Sequence, residues 1–153
     1  LHLNLTNAKA DSGASLPNAS TFEVGAGEAN GETLVTYCFH SVEGFSKIGT
    51  YTGNGSADGP FVYTGFKPAF VLTKRTDSTS NWLVQDSERE QNNPVNYTLY
   101  PNLSSAELGS GGLMNFVSNG FKKTYNDSDS NASGGTYIYM AFAENPFKQS
   151  LAR

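Results

Sequence analysis

The sequence predicts an all-β fold: a jelly-roll or concanavalin-like β-sandwich over residues 21–153, preceded by an N-terminal extension strand and linker over residues 1–20. Three observations predict it. Of the 153 residues only 37% are hydrophobic and 16% charged, with Gly, Ser, Thr and Asn filling the difference. That profile suits many short strands joined by turns and is poor in the residues that build helices. Aromatic residues make up 12% of the chain, enough to anchor a sandwich core and too many for a disordered one. Finally, short apolar runs recur about every ten residues between turn-rich phrases such as GNGSADGP, TDSTSN and NDSDSNASGG, the spacing of a two-sheet fold.

The elements follow in order. Leu1-His2-Leu3-Asn4-Leu5-Thr6 alternates apolar and polar without a slip, the pattern of a strand buried on one face. Residues 7–20 hold a proline and little apolar content, so they read as a linker. Strands are then expected at Thr21–Val24, Thr33–His40, Phe45–Tyr51, Phe61–Thr64 and Ala69–Lys74. Further strands are expected at Trp82–Gln85, Val95–Tyr100, Leu113–Val117, Phe121–Tyr125 and Thr136–Ala143, with one turn of helix at Ser105–Leu108. Two of these strands share wording. GETLVTYCFHS (31–41) and GGTYIYMAFAE (134–144) agree at Gly31/Gly134, Thr33/Thr136 and Phe39/Phe142. Either the two halves of one sandwich use similar hairpins, or the front of the chain echoes the closing strand of another unit.

Chemistry has few footholds. The net charge of −4 and the absence of clustered Lys and Arg argue against a nucleic-acid partner. No apolar run approaches the eighteen or so residues of a membrane-spanning helix, so no membrane insertion is expected. Cys38, the single cysteine, cannot form an internal disulfide and reads as a small buried hydrophobe in a strand. Asp86-Ser87-Glu88-Arg89-Glu90 spaces three carboxylates as some concanavalin-like glycosidases do, but the intervening residues are polar, so a solvated loop is expected. Asn126-Asp127-Ser128-Asp129-Ser130-Asn131 starts like a calcium loop and then has Ala132 and Ile138 where Gly and Glu are needed. His2 and His40 have no Cys or His neighbours to make a zinc site. No catalytic residue, cofactor or metal is expected, and the chain is not read as an enzyme.

Seven of the fifteen asparagines, Asn4, Asn18, Asn54, Asn96, Asn102, Asn126 and Asn131, stand in Asn-x-Ser/Thr sequons, which makes them candidate glycosylation sites. Turn chemistry also favours Asn beside Ser and Thr. The chain begins at Leu1 rather than Met and has no leader-like segment, from which a processed product, exported with removal of its leader, is expected.

The stretch YCFHSVEGFSKIGTYTGNGSADGPFVYTGFKPAFVLTKR (37–75), with Asp77-Ser78, Asn81-Trp82 and the ending NASGGTYIYMAFAENPFK, resembles a domain of unknown function common in virion and tail-associated proteins of aquatic phages. The likeness covers residues 37–148. It implies a β-sandwich module, sometimes in tandem, in which residues 1–42 are similar to the end of a preceding module. The resemblance supplies no catalytic residues. His40-Ser41 departs from the Ala-Glu pair usual there and kept in Ala143-Glu144.

A six-residue strand is not stable alone. Burying Leu1, Leu3 and Leu5 is worth about 2 kcal/mol each as an upper value, and a linker of about fourteen residues, such as 7–20, reaches up to about 45 Å when extended. The expected function is therefore a structural protomer of an extracellular fibril or virion appendage. It would assemble head-to-tail as a homopolymer, with Leu1, Leu3 and Leu5 as the donor strand inserted into a neighbouring subunit. The alternative is a carbohydrate-binding, lectin-like virion or adhesin module, with surface glycans as partners and Trp82, Tyr97 and Tyr100 as the binding aromatics.

Overall fold

In the computed structural model, residues 1–9, 18, 20–23, 33 and 35–146 are described. Two four-stranded antiparallel sheets pack as a β-sandwich. The strands are β1 (Ser46–Thr52), β2 (Phe61–Tyr63), β3 (Pro68–Arg75), β4 (Trp82–Asp86), β5 (Val95–Thr98), β6 (Leu108–Val117), β7 (Gly120–Lys123) and β8 (Thr136–Ala143). One sheet has the order β1-β8-β3-β4 and the other β2-β7-β6-β5. The first strand thus pairs with the last and the second with the next-to-last, the nested wrapping of a jelly roll, while β3–β4 and β5–β6 are hairpins. The all-β sandwich expected from composition and strand spacing is the observed fold.

Period-two burial explains most elements. On β8 the side chains of Tyr137, Tyr139 and Ala141 enter the core, and those of Ile138, Met140 and Phe142 face the other way and are half-buried. Tyr51 of β1 stacks on Tyr137 with centroids 4.8 Å apart, and Phe121 of β7 meets Tyr139 edge-on at 5.3 Å. Burial of such rings supplies much of a small sandwich's stability. Their hydroxyls leave the apolar layer at one end. Tyr51 donates to Ser130 O at 2.8 Å, and Tyr137 donates to Ser128 O at 3.0 Å while accepting from Ala132 N at 2.8 Å. Ser128–Asn131 is a single helical turn, α1, lying across that end of the sandwich. Gly53 is required there, because a Cβ on it would sit 2.3 Å from the carbonyl oxygen of Ala132.

Several expectations are corrected. Leu1–Thr6 is no strand; a turn at residues 3–4 interrupts it. It runs along the β3–β4 connection, where no ladder is offered, so its backbone groups go to side chains and turn residues instead. Thr21–Glu23 is likewise not a strand, and Val24 lies outside the described residues. Thr33 and Val35–His40 form no strand either, although the wording matches β8; Leu34 is outside the described residues. Cys38 is consequently exposed rather than buried. The helical turn falls at Ser128–Asn131, and Leu108 belongs instead to β6. Among the described residues no helix is long and apolar enough to cross a membrane.

Candidate functional site

The side of the β1-β8-β3-β4 sheet that faces away from the core is the unusual surface of the molecule. Pairing registers place Ile48, Met140, Leu72 and Val84 in one row across all four strands, and Thr50, Ile138, Lys74 and Trp82 in the next. A third row carries Ser46, Phe142, Phe70 and Asp86. The outer face of a two-sheet sandwich is normally polar. This one is apolar over its middle, and its apolar members are half-buried or, in Trp82, buried. The run of β8 shows the same thing in one strand: TYIYMAFA has no polar alternation because both of its faces are covered.

Part of the cover is the N-terminal arm, residues 1–9. Trp82 Nε1 donates to His2 O at 2.9 Å and Lys74 Nζ donates to Thr6 O at 3.1 Å. Ser80 N donates to Thr6 O at 2.9 Å, and Lys9 N to Thr76 O at 2.7 Å. Lys74 also donates to Arg75 O at 2.8 Å. Burial lowers the Lys74 amine from its ordinary range, with the Asp129 carboxylate opposing that shift. Every one of these arm contacts is made to the arm's backbone. Its side chains are held much less. Leu1, Leu3 and Leu5 remain 49%, 45% and 40% exposed. The arm is therefore fastened by carbonyls and amides that any peptide possesses, while its three leucines are only half-used.

The other end of the same face is covered by an aromatic cluster. Phe142 is surrounded by Phe39, Phe45 and Phe70, with centroids 5.8–6.2 Å away.

The predicted carbohydrate residues do not come together. Trp82 is 8% exposed and serves the arm, with its backbone N held by Asn102 Oδ1 at 2.8 Å. Tyr97 is 40% exposed on β5, its ring against Gly109 of the neighbouring strand. Tyr100 is half-buried just beyond β5, and its hydroxyl pKa is raised by burial and then by the Asp127 and Asp129 carboxylates. A ring more exposed than these three, missed in the sequence, is Tyr63, beside a cleft of about 320 Å³ lined by Ser41, Glu43, Ser46, Lys47 and Thr64. The hydroxyls of Ser41, Ser46 and Thr64 are already bonded to backbone groups. No pattern of spacing pointed to Tyr63, because the cleft joins residues brought together by the β1 and β2 strands.

The sequon asparagines divide by burial. Asn4, Asn18, Asn54 and Asn126 are exposed. Asn131 is fully buried and donates to Ser56 O and Tyr125 O while accepting from Asn54 N, so its amide cannot carry a glycan in the folded domain. The amides of Asn96 and Asn102 are half-buried and bonded to Glu90 and Asn81. These asparagines are structural pins of turns.

The carboxylate run beginning at Asp86 is a salt-bridged loop: Arg89 reaches Asp86 at 2.6 Å and Glu107 at 2.5 Å. Among the described residues no three His, Cys, Asp or Glu side chains gather as a metal site.

No curated protein and no solved structure matches the chain. A family model matches residues 1–146, taking in the arm, the 33–40 segment and all eight strands, and on that match the chain belongs to the family described as Domain of unknown function (DUF7483).

Proposed function

We propose that this chain is a non-catalytic structural protomer of an extracellular fibril or virion appendage, and that copies join by trading the N-terminal arm. The observation that carries the reading is the mismatch at the arm: backbone groups firmly held, leucines only half-covered, on an apolar sheet face. Trp82 and Lys74 would receive the arm of a neighbour as readily as the chain's own, because they recognise carbonyl oxygens rather than side chains. Covering the exposed halves of three leucines in a neighbour adds about 1 kcal/mol each. Exchange of this kind is a heterologous contact and builds an open array unless its geometry closes a ring.

Negative-stain electron microscopy of the full chain and of a chain lacking residues 1–9 tests this. Filaments are expected only from the full chain, and a synthetic peptide of residues 1–9 is expected to shorten them. Filaments that persist without the arm, or a full chain that stays monomeric at every concentration, would overturn the reading. Replacing Leu1, Leu3 and Leu5 together by Ser separates lost exchange from an exposed sheet face, since the backbone bonds are kept.

A carbohydrate-binding role is the second reading, favoured by one observation, the 63% exposed Tyr63 ring at the rim of a polar cleft. Sugar faces stack on such rings. Binding on a glycan array that is lost with Tyr63→Ala would support it.

A further inference from the structure

The Tyr63 ring has a companion. On β2 burial alternates strictly, with Val62 in the core and Phe61 and Tyr63 turned out on the opposite side of the sheet. Phe61 is 49% exposed and Tyr63 63%. Positions two apart on a strand are about 7 Å from each other, so the two rings make a short row. Each ring leans on a glycine. A Cβ on Gly120 would come within 3.0 Å of Phe61 Cε2. One on Gly65 would lie 3.6 Å from the Tyr63 hydroxyl and 3.9 Å from its ring. Neither position carries a side chain that would cover the rings.

Polar groups flank the row at both ends. Lys122 stands opposite Phe61 on β7, and its ammonium pairs with the Asp58 carboxylate. Gly120 stands opposite Tyr63, next to a turn residue, Asn119, whose carbonyl accepts from Thr64 N at 3.0 Å and from Gly65 N at 3.2 Å. Those two bonds fix the exposed Asn119 beside the Tyr63 end of β2. Among the described residues the Asn119 side-chain amide has no hydrogen-bond partner. The adjoining cleft differs, because its three hydroxyls are committed to backbone groups.

Size and charge narrow what the row can hold. Two half-exposed rings offer about 200 Å², against about 800 Å² buried by each side of a stable protein interface. Phosphates are poorly served, since Lys122 is already paired and the chain carries a net charge of −4. What fits is a ligand without net charge that has an apolar face for stacking and a hydrogen-bonding rim. We propose that Phe61 and Tyr63 are adjacent subsites for a neutral saccharide chain laid along β2, with Asn119 and the Lys122–Asp58 pair bonding its hydroxyls. This assignment rests on the carbohydrate-binding reading and adds to it the second ring, the course of the chain and its lack of charge.

Affinity electrophoresis of the full chain through gels containing hydroxyethyl cellulose, galactomannan or laminarin tests this, with polyanionic alginate for comparison. Retardation is expected from at least one neutral polymer and not from alginate. Phe61→Ala and Tyr63→Ala are each expected to weaken that binding about tenfold, and Phe61→Tyr to keep it. In titration calorimetry a hexasaccharide of the retarding polymer is expected to bind about tenfold more tightly than its disaccharide. Tyr97→Ala, at an exposed ring on the far edge strand of the same sheet, is expected to change nothing. All three positions are exposed, and thermal denaturation of each variant checks that the fold is kept. Loss with Tyr63→Ala but not with Phe61→Ala leaves the carbohydrate reading standing and overturns the two-ring row. Binding that survives both changes, prefers alginate, ignores chain length or falls equally with Tyr97→Ala also overturns it. No retardation by any of the polymers overturns both.

Discussion

Residues 33–40 and β8 (136–143) share part of their wording and differ in fate. Both carry apolar residues at successive positions, which gives a strand two usable faces. β8 is flanked by β1 and β3, and its Tyr137, Tyr139 and Ala141 are 0%, 5% and 0% exposed. The earlier copy has no ladder among its described residues; Phe39 packs on Phe142, but Val35 and Tyr37 stand more than 70% exposed. The difference teaches that pattern specifies competence to be a strand, and that a free edge with a matching face decides whether the strand forms. In this fold the slot between β1 and β3 is filled once.

The sharpest way to test that contrast is to truncate one ring in each segment. Tyr139→Ala is expected to cost about 3–5 kcal/mol in chemical denaturation, since the ring is buried against Tyr51 and Phe121. Tyr37→Ala in the unpaired copy is expected to stay within about 0.5 kcal/mol of the parent under monomeric conditions. Equal losses would show that the 33–40 segment is part of the folded core.

The next effect comes from a buried cation on β7. Lys123, on β7, is fully buried with no hydrogen-bond partner, and burial lowers its amine to about 7, with the Asp127 carboxylate opposing. The folded domain therefore releases this proton near pH 7, while the unfolded chain keeps it to about 10.5. Between those values the unfolded state binds more protons, so stability rises with pH across that window and is least below it. Above pH 10 the trend reverses, because burial raises the Tyr51, Tyr137 and Tyr139 hydroxyls and the unfolded chain ionises first. Lys123→Met is expected to add about 1–4 kcal/mol at pH 7 and to flatten the rise. Denaturation midpoints from pH 6 to 10 measure both.

Tyr137→Phe is a smaller change. It removes one bond donated to Ser128 and one accepted from Ala132, which tie β8 to α1, at an expected cost of about 1–2 kcal/mol. Faster amide exchange in residues 128–132 would locate the effect. No loss at all would mean that β8 holds its place by packing alone.

Much of the sandwich was legible in the chain. Strands predicted at Phe45–Tyr51, Ala69–Lys74, Trp82–Gln85 and Thr136–Ala143 match β1, β3, β4 and β8 to within a residue or two. Their boundaries are set by turn residues that act locally. What sequence could not show was every contact that depends on distant partners. Trp82 stands in the sequence as a binding aromatic only under the alternative reading, and nothing local shows that its indole holds His2, eighty residues away. Lys122 and Lys123 are neighbours in sequence with different surroundings: Lys122 pairs with Asp58 at the surface, and Lys123 points inward. Asn131 wears a sequon and is a buried pin between the β1–β2 loop and Tyr125. Leu1, Leu3 and Leu5 alternate faultlessly and still form no strand, because the surface beside them offers a hairpin end and not an open edge.

By itself, then, the sequence determined the all-β class, most strand positions and the two-sided apolar character of β8, since these follow from composition, period-two patterning and turn chemistry over a few residues. Only the tertiary structure decided which of two similar strands occupies the sheet, where the arm rests, and which lysine and asparagine are buried. Those outcomes depend on how many edges and faces remain once the chain has closed on itself, a property of the packed whole that no local run of residues contains.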